Sequence, residues 1–391
     1  MDPDLSSLSA FLDDAGTDGY LFDTDGDDAD QYYLSGFTAP DGVVTLCDGE
    51  VRILTSQLEF ARAKNESRAA SVDRTADYDF RAKVDEHGRR EGKIRAIAAF
   101  LDDHCVGSVS VPKDFPLGTA DGLRDLGVDV AVADEDPIGD ARAVKTDAEI
   151  EDVRAVQSAN ETAMATAEDL IRSATVVDGD LHADGAPLTS ERVKAEIEVA
   201  LLREGAALDE TIVAGGADAA EPHNRGSGPL AAGEPIIVDI FPRDKSTKFH
   251  GDMTRTFVRG EPSETAREWY DLTREAFEAA LETIEPGVTG EAVDDAVCDV
   301  YEDAGLPTLR DDESAATGFI HSTGHGVGLE VHENPSLGQG ADEKLEPGHI
   351  VTVEPGLYDP EVGGVRIEDL VVVTEDGYEN LTDYPIEFVV E

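Results

Sequence analysis

The chain has 391 residues, 40% of them hydrophobic, which is enough for more than one buried core and predicts two domains. Its formal net charge is −55, from 31 basic and 86 acidic residues. This balance excludes a nucleic-acid-binding surface, because a phosphate backbone requires a basic footprint. The acidic residues are scattered through segments with apolar periodicity, so the charge predicts a folded protein adapted to a salt-rich cytoplasm. A cation-sequestering protein and an acidic partner for a basic ligand are the alternatives.

The cysteines and the apolar runs indicate the compartment. Cys47, Cys105 and Cys298 are odd in number and far apart, which predicts neither a disulfide framework nor a zinc knuckle and suits a reducing interior. The N-terminus has no basic region followed by an apolar run, and no apolar stretch reaches about 18 residues. We therefore expect a cytoplasmic protein with no membrane partner.

Residues 1–140 alternate short apolar runs with helical patterns. Strands are predicted at residues 19–22, 43–46, 51–54, 108–111 and 128–132, and helices at 57–66, 89–104 and 119–126. This alternation predicts a three-layered α/β domain. It contains no phosphate loop and no dinucleotide fingerprint, so we expect a structural role, such as covering a site or limiting substrate length.

A polar break at residues 134–140 predicts the domain boundary, and a capping box from Thr146 to Glu149 then opens a long helix. Further helices are predicted at 189–204, from 263 to the region of Gly287, and at 291–304, and strands at 211–213, 236–240, 253–258, 319–321, 350–353 and 365–373. Trp269, Phe277 and Leu281 should share one apolar helix face. The order of elements, helices then strands twice over, favours duplicated α+β halves.

Three of the nine histidines fall within twelve residues, at His321, His325 and His332. Glycines alternate around the middle one, which lets backbone or ligand approach where a Cβ would block it. Imidazoles at this spacing suit metal binding and hydrogen bonding to a polar substrate. A glycine-rich turn with surface histidines is the alternative.

Four carboxylates lie in apolar strand surroundings, where an unpaired charge is expensive: Asp239, Asp252, Glu354 and Glu368. A buried carboxylate normally needs a partner or a metal, and few basic residues accompany these four. Four carboxylates and one imidazole suit a pair of divalent cations. Oxygen-rich ligation with one nitrogen favours Mn²⁺ or Co²⁺, leaves Zn²⁺ and Fe²⁺ as alternatives, and disfavours thiolate sites.

In order and local context, five residues resemble the metal ligands of the pita-bread metallopeptidases, which include methionine aminopeptidase, aminopeptidase P and prolidase: Asp239, Asp252, His325, Glu354 and Glu368. The motifs at residues 323–333, 353–356 and 365–369 resemble the Xaa-Pro peptidase branch in particular. The resemblance covers about residues 145–391, and residues 1–140 resemble that branch's creatinase-like N-terminal domain more loosely. It implies an α/β creatinase-like domain, 1–140, before an α+β pita-bread catalytic domain, 145–391.

The resemblance also implies a role for each ligand. Asp239 would hold one metal only, Asp252 and Glu368 would bridge both, and His325 and Glu354 would complete the second. Glu354 would in addition move the proton of the attacking water.

Outside the ligands, the resemblance implies substrate contacts for four residues. His223 would steady the scissile amide, and His321 would donate to the developing oxyanion. His332 and Arg366 would orient the substrate beyond the cut. A homodimer is also implied.

One feature departs from the family pattern. The two aspartates of the hairpin are thirteen residues apart, whereas the family usually separates them by eleven. Because the difference is even, both carboxylates should stay on one face of the sheet, and Asp244 in the tip should be a loop residue. The longer tip leaves metal binding intact but bears on the preference for proline.

The function implied by the resemblance is hydrolysis of the N-terminal peptide bond of dipeptides or short peptides, before proline, by a hydroxide that bridges two metals. This describes an Xaa-Pro dipeptidase or an aminopeptidase P. A broad-specificity metalloaminopeptidase is the first alternative. A metal-free creatinase-like amidinohydrolase and a catalytically dead pita-bread interaction module are disfavoured, because no ligand is missing.

Overall fold

The computed structural model of the chain describes residues 5–391. These form two compact units, the first ending at Arg142 and the second spanning Ala143–Glu391. No helix within residues 5–391 has the length and apolar character needed to cross a bilayer.

The first unit contains a six-stranded sheet with helices between its strands. Its strands are β1 (Gly19–Thr24), β2 (Val43–Cys47), β3 (Val51–Thr55), β4 (Ser71–Arg74), β5 (Ser108–Val111) and β6 (Asp129–Val132). Its helices are α1 (Ser6–Ala15), α2 (Ala29–Ser35), α3 (Phe60–Glu66), α4 (Phe80–His87), α5 (Arg89–Asp103) and α6 (Leu117–Asp125), with α7 (Pro137–Ala143) at the boundary. A short 3-10 helix covers Thr75–Tyr78.

The sheet order is β4-β3-β2-β1-β5-β6, with antiparallel pairing among β1, β2 and β3 and parallel pairing elsewhere. Its main core joins the sheet to α5 and α6, through side chains such as Leu46, Ile97, Phe100 and Leu123. The predicted α/β class is confirmed, because each predicted strand of this region forms and the strands alternate with helices.

The second unit has four long helices: α8 (Asp147–Ser173), α9 (Ser190–Arg203), α10 (Glu264–Thr283) and α11 (Gly290–Asp303). Helix α8 begins with the predicted capping box, in which the Glu149 carboxylate accepts the Thr146 N–H at 2.9 Å. The predicted apolar face of α10 is confirmed, because Trp269, Phe277 and Leu281 are all buried.

The strands of this unit pair almost entirely antiparallel. They are β7 (Thr175–Val177), β8 (Asp180–Ala183), β9 (Ala186–Pro187), β10 (Ala206–Ala207), β11 (Thr211–Gly215), β12 (Ile236–Ile240), β13 (Arg243–Asp244), β14 (Met253–Phe257), β15 (Gly324–Gly326), β16 (Glu333–Leu337), β17 (Ile350–Val353), β18 (Gly356–Asp359), β19 (Gly363–Arg366), β20 (Asp369–Thr374) and β21 (Gly377–Asn380). Two sheets organise the site, β11-β12-β14 and β16-β15-β17-β20-β21. A 3-10 helix covers Gly216–Ala220.

Two hydrophobic cores divide this unit in the way the predicted duplication requires. One joins α8 and α9 to β11, β12 and β14. The other joins α10 and α11 to β17 and β20. Each half is thus a helix pair packed on an antiparallel sheet, which confirms the α+β class.

Two of the predicted strands are wrong in detail. Within residues 319–321 only Phe319 pairs, in an isolated bridge to Thr308, and the preceding Gly318 forms another with Tyr358. The predicted strand at 365–373 divides into β19 and β20, because its first part pairs with β18 and its second with β17. Ile367 and Glu368 form the break between two different sheets, and the apolar sequence gives no sign of it.

Removing the α8 cap should weaken the second unit. Thr146→Ala deletes the side chain that accepts the Glu149 N–H, so we expect the free energy of unfolding to fall by about 1 kcal/mol. Chemical denaturation of the two variants measures the change. Thr162→Ala in the middle of the same helix is the control and should cost nothing, because alanine has the higher helix propensity. Equal losses for both variants would contradict a capping role.

Candidate metal centre

The two predicted aspartate ligands come from the hairpin formed by β12 and β14. Asp239 lies opposite Thr254 in the antiparallel register, and Asp252 precedes Thr254 by two residues. Directly opposed residues share a face, as do residues two apart on one strand, so both carboxylates lie on the same face. Asp244 in the tip accepts hydrogen bonds from Ser246 and Thr247, as a residue that shapes the turn does.

The other three predicted ligands come from the five-stranded sheet. His325 lies on β15, Glu354 follows the last residue of β17, and Glu368 precedes the first residue of β20. Strand ends leave the backbone free to turn, so these side chains can point away from the apolar core behind them. The main chain joins the two sheets at this point, where the Glu368 N–H donates to the Thr254 carbonyl at 3.1 Å.

The side chains of the two sheets converge. Ligand atoms of Asp252, His325 and Glu368 all lie within 4.8 Å of one another. The His325 Nε2 atom is also 3.3 Å from Oε1 of Glu354 and 3.9 Å from Oδ2 of Asp252. Asp239 joins the group through Arg366, whose Nη2 lies 2.6 Å from Asp239 Oδ2. The structure therefore brings all five predicted ligands to one place.

The charges of the clustered carboxylates favour the binding of cations. Burial, followed by the charges of Glu368, Asp239 and Glu354, raises the pKa of Asp252 well above its usual value. The pKa of Glu368 is raised by burial and then by Glu354 and Asp239, and burial raises that of Glu354 to about 8. Four carboxylates face one guanidinium, that of Arg366, so most of their repulsion is not compensated by protein.

One buried oxygen also lacks a partner. Among residues 5–391, Asp239 Oδ1 is a buried polar atom with no hydrogen bond, while Oδ2 of the same carboxylate is bound to Arg366. A buried acceptor of this kind is costly unless something binds it. The donor set of carboxylate oxygens and one imidazole therefore fits divalent cations.

The imidazole of His325 is oriented for ligation. Its Nδ1 lies 3.1 Å from the Gly326 carbonyl, which fixes the proton on Nδ1 and leaves the Nε2 lone pair facing the carboxylates. Burial lowers its pKa to about 4, so the ring is neutral. A Cβ at Gly324 would lie 2.0 Å from the Thr352 carbonyl oxygen, so only glycine lets β15 approach β17 here.

Two threonines, one on each sheet, position the glutamates. The Thr254 hydroxyl donates to Glu368 Oε2 at 2.6 Å and accepts from Arg366 Nε at 3.1 Å. The Thr352 hydroxyl accepts the His325 N–H at 3.1 Å and reaches Glu354 Oε1 at 3.5 Å. Neither threonine was predicted as a site residue. The signal available for Thr254 was its place two residues after Asp252, on the same strand face.

A chain of hydrogen bonds leads from Asp239 to His321. Arg366 donates to Asp239 and, through Nη1, to the Tyr358 hydroxyl at 2.8 Å. Tyr358 in turn lies 2.9 Å from Nε2 of His321, whose Nδ1 is 2.7 Å from the Ser322 carbonyl. Burial lowers the pKa of His321 to about 3, so the ring is neutral, with Nδ1 donating and Nε2 accepting from the tyrosine. Tyr358 was not predicted, because its contact with His321, 37 positions away, exists only in the folded chain.

The four predicted substrate contacts differ in accessibility. His223 and His332 are exposed, and the His332 ring centroid is 4.2 Å from that of His325. Charge on His223 contributes, after burial, to lowering the pKa of both His321 and His332. Arg366 is only 3% exposed and its three nitrogens contact protein atoms. Its position argues against the predicted direct contact with substrate.

Two family models match the chain. Residues 151–375 match the metallopeptidase family M24, and residues 5–156 match the creatinase/prolidase N-terminal domain. The first match covers the two strands and the three strand ends that carry the candidate ligands.

Curated and solved relatives agree with these matches. The chain is 30% identical over 356 residues to an Xaa-Pro dipeptidase of Pyrococcus furiosus, covering 90% of each chain. The crystal structure of a prolidase from Pyrococcus horikoshii has a TM-score of 0.80 and 26% identity, covering 98% of this chain and 99% of that one. An X-Pro aminopeptidase structure from Thermotoga maritima has a TM-score of 0.79 and 27% identity, covering 96% and 98%.

Divalent cations should stabilise the second unit. A ligand that binds only the folded state at about 100 times its Kd adds roughly 2.7 kcal/mol, so Mn²⁺ or Co²⁺ should raise the melting temperature by about 5–10 °C. Scanning calorimetry with chelator or metal measures the shift. Asp252→Asn should abolish it, and Asp244→Asn, in the tip of the same hairpin, should retain it. A shift that Asp252→Asn keeps in full would exclude this centre as its origin.

Proposed function

The chain belongs to metallopeptidase family M24, and we propose that it hydrolyses the N-terminal peptide bond of dipeptides or short peptides in which proline follows that bond. It is a metallopeptidase with a creatinase-like N-terminal domain and a pita-bread catalytic domain. The proposal concerns the substrate, the number of metals and the roles of individual residues.

The convergence of five ligand side chains from two sheets is the observation that carries the proposal. Three of them have ligand atoms within 4.8 Å of one another, and Glu354 contacts the same imidazole at 3.3 Å. A catalytically dead module has no need to hold unpaired carboxylates together against their repulsion. We therefore favour the enzyme over the interaction module.

We assign the five side chains to two cations, with Mn²⁺ or Co²⁺ preferred and Zn²⁺ and Fe²⁺ as alternatives. Asp239 would bind one cation, Asp252 and Glu368 both, and His325 and Glu354 the other. When bound, divalent cations polarise a carbonyl and make water nucleophilic near neutral pH. The unpaired Oδ1 of Asp239 supports its assignment to a single cation.

Glu354 is the group best placed to move the proton. Its side chain is 17% exposed, so it reaches the open side of the site while its carboxylate touches His325. In this position it would accept the proton of the attacking water and transfer it to the leaving nitrogen. The Thr352 hydroxyl, 3.5 Å from Oε1, would hold the carboxylate in the orientation that this transfer needs.

The histidines divide into two groups. His223 and His332 are exposed, and we assign them to the scissile amide and to the residue beyond it. His321 was predicted to donate to the oxyanion, but in this arrangement Nδ1 faces the Ser322 carbonyl and Nε2 accepts from Tyr358. We therefore assign His321 a positioning role, through Tyr358 and Arg366. The hydrogen bond to the substrate oxygen would then come from the exposed imidazoles.

Proline preference rests on the likeness to enzymes named Xaa-Pro dipeptidase and X-Pro aminopeptidase. Because an Xaa-Pro bond lacks the amide hydrogen, its recognition depends on shape and carbonyl contacts. A broad-specificity aminopeptidase is the second candidate, favoured by the lengthened tip between Asp239 and Asp252. The homodimer, the cytoplasmic location and the adaptation to salt stay predictions from the sequence.

Three substrates separate the candidates. With Mn²⁺ or Co²⁺ added, hydrolysis of Ala-Pro alone identifies a dipeptidase, and hydrolysis of Ala-Pro-Ala an aminopeptidase P. Equal rates on Ala-Ala would replace proline specificity by broad specificity. Asp252→Asn should lower activity by more than the roughly 10–100-fold typical of a residue that only supports a ligand, while Asp244→Asn should not. Release of alanine, measured by chromatography, gives the rates.

Tyr358→Phe should slow hydrolysis without loss of metal. The variant removes the oxygen that accepts from Arg366 and donates to His321, so kcat/KM should fall about 10–100-fold. Tyr301→Phe is the control, because it deletes another buried hydroxyl, bonded at 3.3 Å to Thr273, outside this chain of contacts. Metal analysis and steady-state kinetics measure both. Similar losses in the two variants would indicate a general effect on folding.

A further inference from the structure

A buried ion pair joins the start of the second unit to the segment that carries His332. The Lys145 Nζ lies 3.0 Å from Oε2 of Glu333, and the two side chains are only 1% and 5% exposed. Breaking a buried pair of opposite charges is far more costly than breaking a surface pair. The contact spans 188 positions of the chain, so it fixes one segment relative to another.

The backbone around Lys145 is itself held. Its N–H donates to the Gly348 carbonyl at 3.0 Å, and Val144 forms a β-bridge with His349. These residues lead directly into β17, which ends at Glu354. The backbone of Lys145 is therefore anchored to the segment that leads into β17, the strand that Glu354 follows.

The carboxylate of Glu333 closes a tight loop formed by residues 328–333, which we call the His332 loop. Glu333 Oε1 accepts the Glu330 N–H at 3.0 Å. Oε2 packs so closely on Gly328 that a Cβ there would lie 2.4 Å away. The Gly328 carbonyl accepts the His250 N–H at 2.8 Å, which ties the loop to the hairpin of β12 and β14.

His332 sits at the end of this loop, one residue before Glu333. Its ring contacts that of His325 at a centroid distance of 4.2 Å, yet it remains exposed. His325 is held independently, by Thr352 and by the Gly326 carbonyl. Movement of the His332 loop should therefore shift His332 and leave the metal ligand in place.

We propose that Lys145 is a positioning residue for His332, acting through Glu333. The ion pair holds the His332 loop in the conformation in which the imidazole faces the substrate side of the metal centre. This inference rests on the proposed function insofar as it assigns His332 to the substrate, and it predicts an effect on substrate binding rather than on metal binding.

The kinetic test uses Lys145→Met, which removes the charge and keeps most of the stem. With Ala-Pro as substrate, KM should rise about tenfold while kcat and metal content change little, because the affected contact is made in ground state and transition state alike. Lys145→Arg should restore most of the loss. In a His332→Ala background, Lys145→Met should have no further effect on KM, because its target is gone. The same rise in KM in both backgrounds would overturn the inference.

A second variant covers the case in which loss of the Lys145 charge alone prevents folding. Lys145→Met with Glu333→Gln removes both charges of the pair and should keep the increase in KM. Lys93→Met is the control for loss of an ion pair elsewhere, since Lys93 lies 2.5 Å from the buried Asp23 in the first unit. An equal KM rise on Ala-Pro in Lys93→Met would count against a specific role.

Amide hydrogen exchange separates failure of this inference from failure of the proposed function. In Lys145→Met, residues 328–333 should exchange faster, while the strand of His325 keeps its protection. If the loop loosens but the wild type cleaves no Xaa-Pro peptide, the proposed function is wrong and the positioning role stands. If exchange of 328–333 is unchanged, the positioning role is wrong whatever the activity.

Discussion

The mutual repulsion of four clustered carboxylates, most of them buried, is the constraint on which the second unit depends. Asp252 and Glu368 are 4% and 2% exposed, so water cannot screen them, and one guanidinium faces the whole group. Burial and the neighbouring carboxylates raise the pKa of Asp252 and of Glu368, which means that the folded chain alone does not favour the ionised state of these two groups. The fold must hold the charges together until cations compensate them, and the surrounding contacts serve that purpose.

Two sheets share this task in a similar way. Thr254, two residues after Asp252, donates its hydroxyl to Glu368, which belongs to the other sheet. Thr352, two residues before Glu354, reaches that glutamate with its own hydroxyl. Because the hydroxyls are themselves fixed by Arg366 and by the His325 amide, each glutamate oxygen is held at a definite place. The duplicated architecture thus supplies similar supports on the two sides of the centre.

The sequence predicts the ligands better than their supports, for a physical reason. A carboxylate at the end of an apolar strand, such as Asp239, is visible because its burial would be costly without a cation. The spacing of Asp239 and Asp252 also predicts their common face, which the pairing of Asp239 with Thr254 bears out.

Partners that meet only in the folded chain leave no local pattern. Tyr358 meets His321 across 37 positions, and Lys145 meets Glu333 across 188. The break at Glu368 is hidden for a related reason: β19 and β20 are both buried, and only their different partner strands separate them. The neutral state of His321 is equally invisible in the sequence, because it follows from burial of the ring and from the charge of Arg366, which both lower its pKa. With the ring neutral, each group in the chain from Arg366 to Ser322 donates its hydrogen bond in one direction. Asp239 then binds the Arg366 guanidinium through one oxygen, while the other oxygen faces the metal centre.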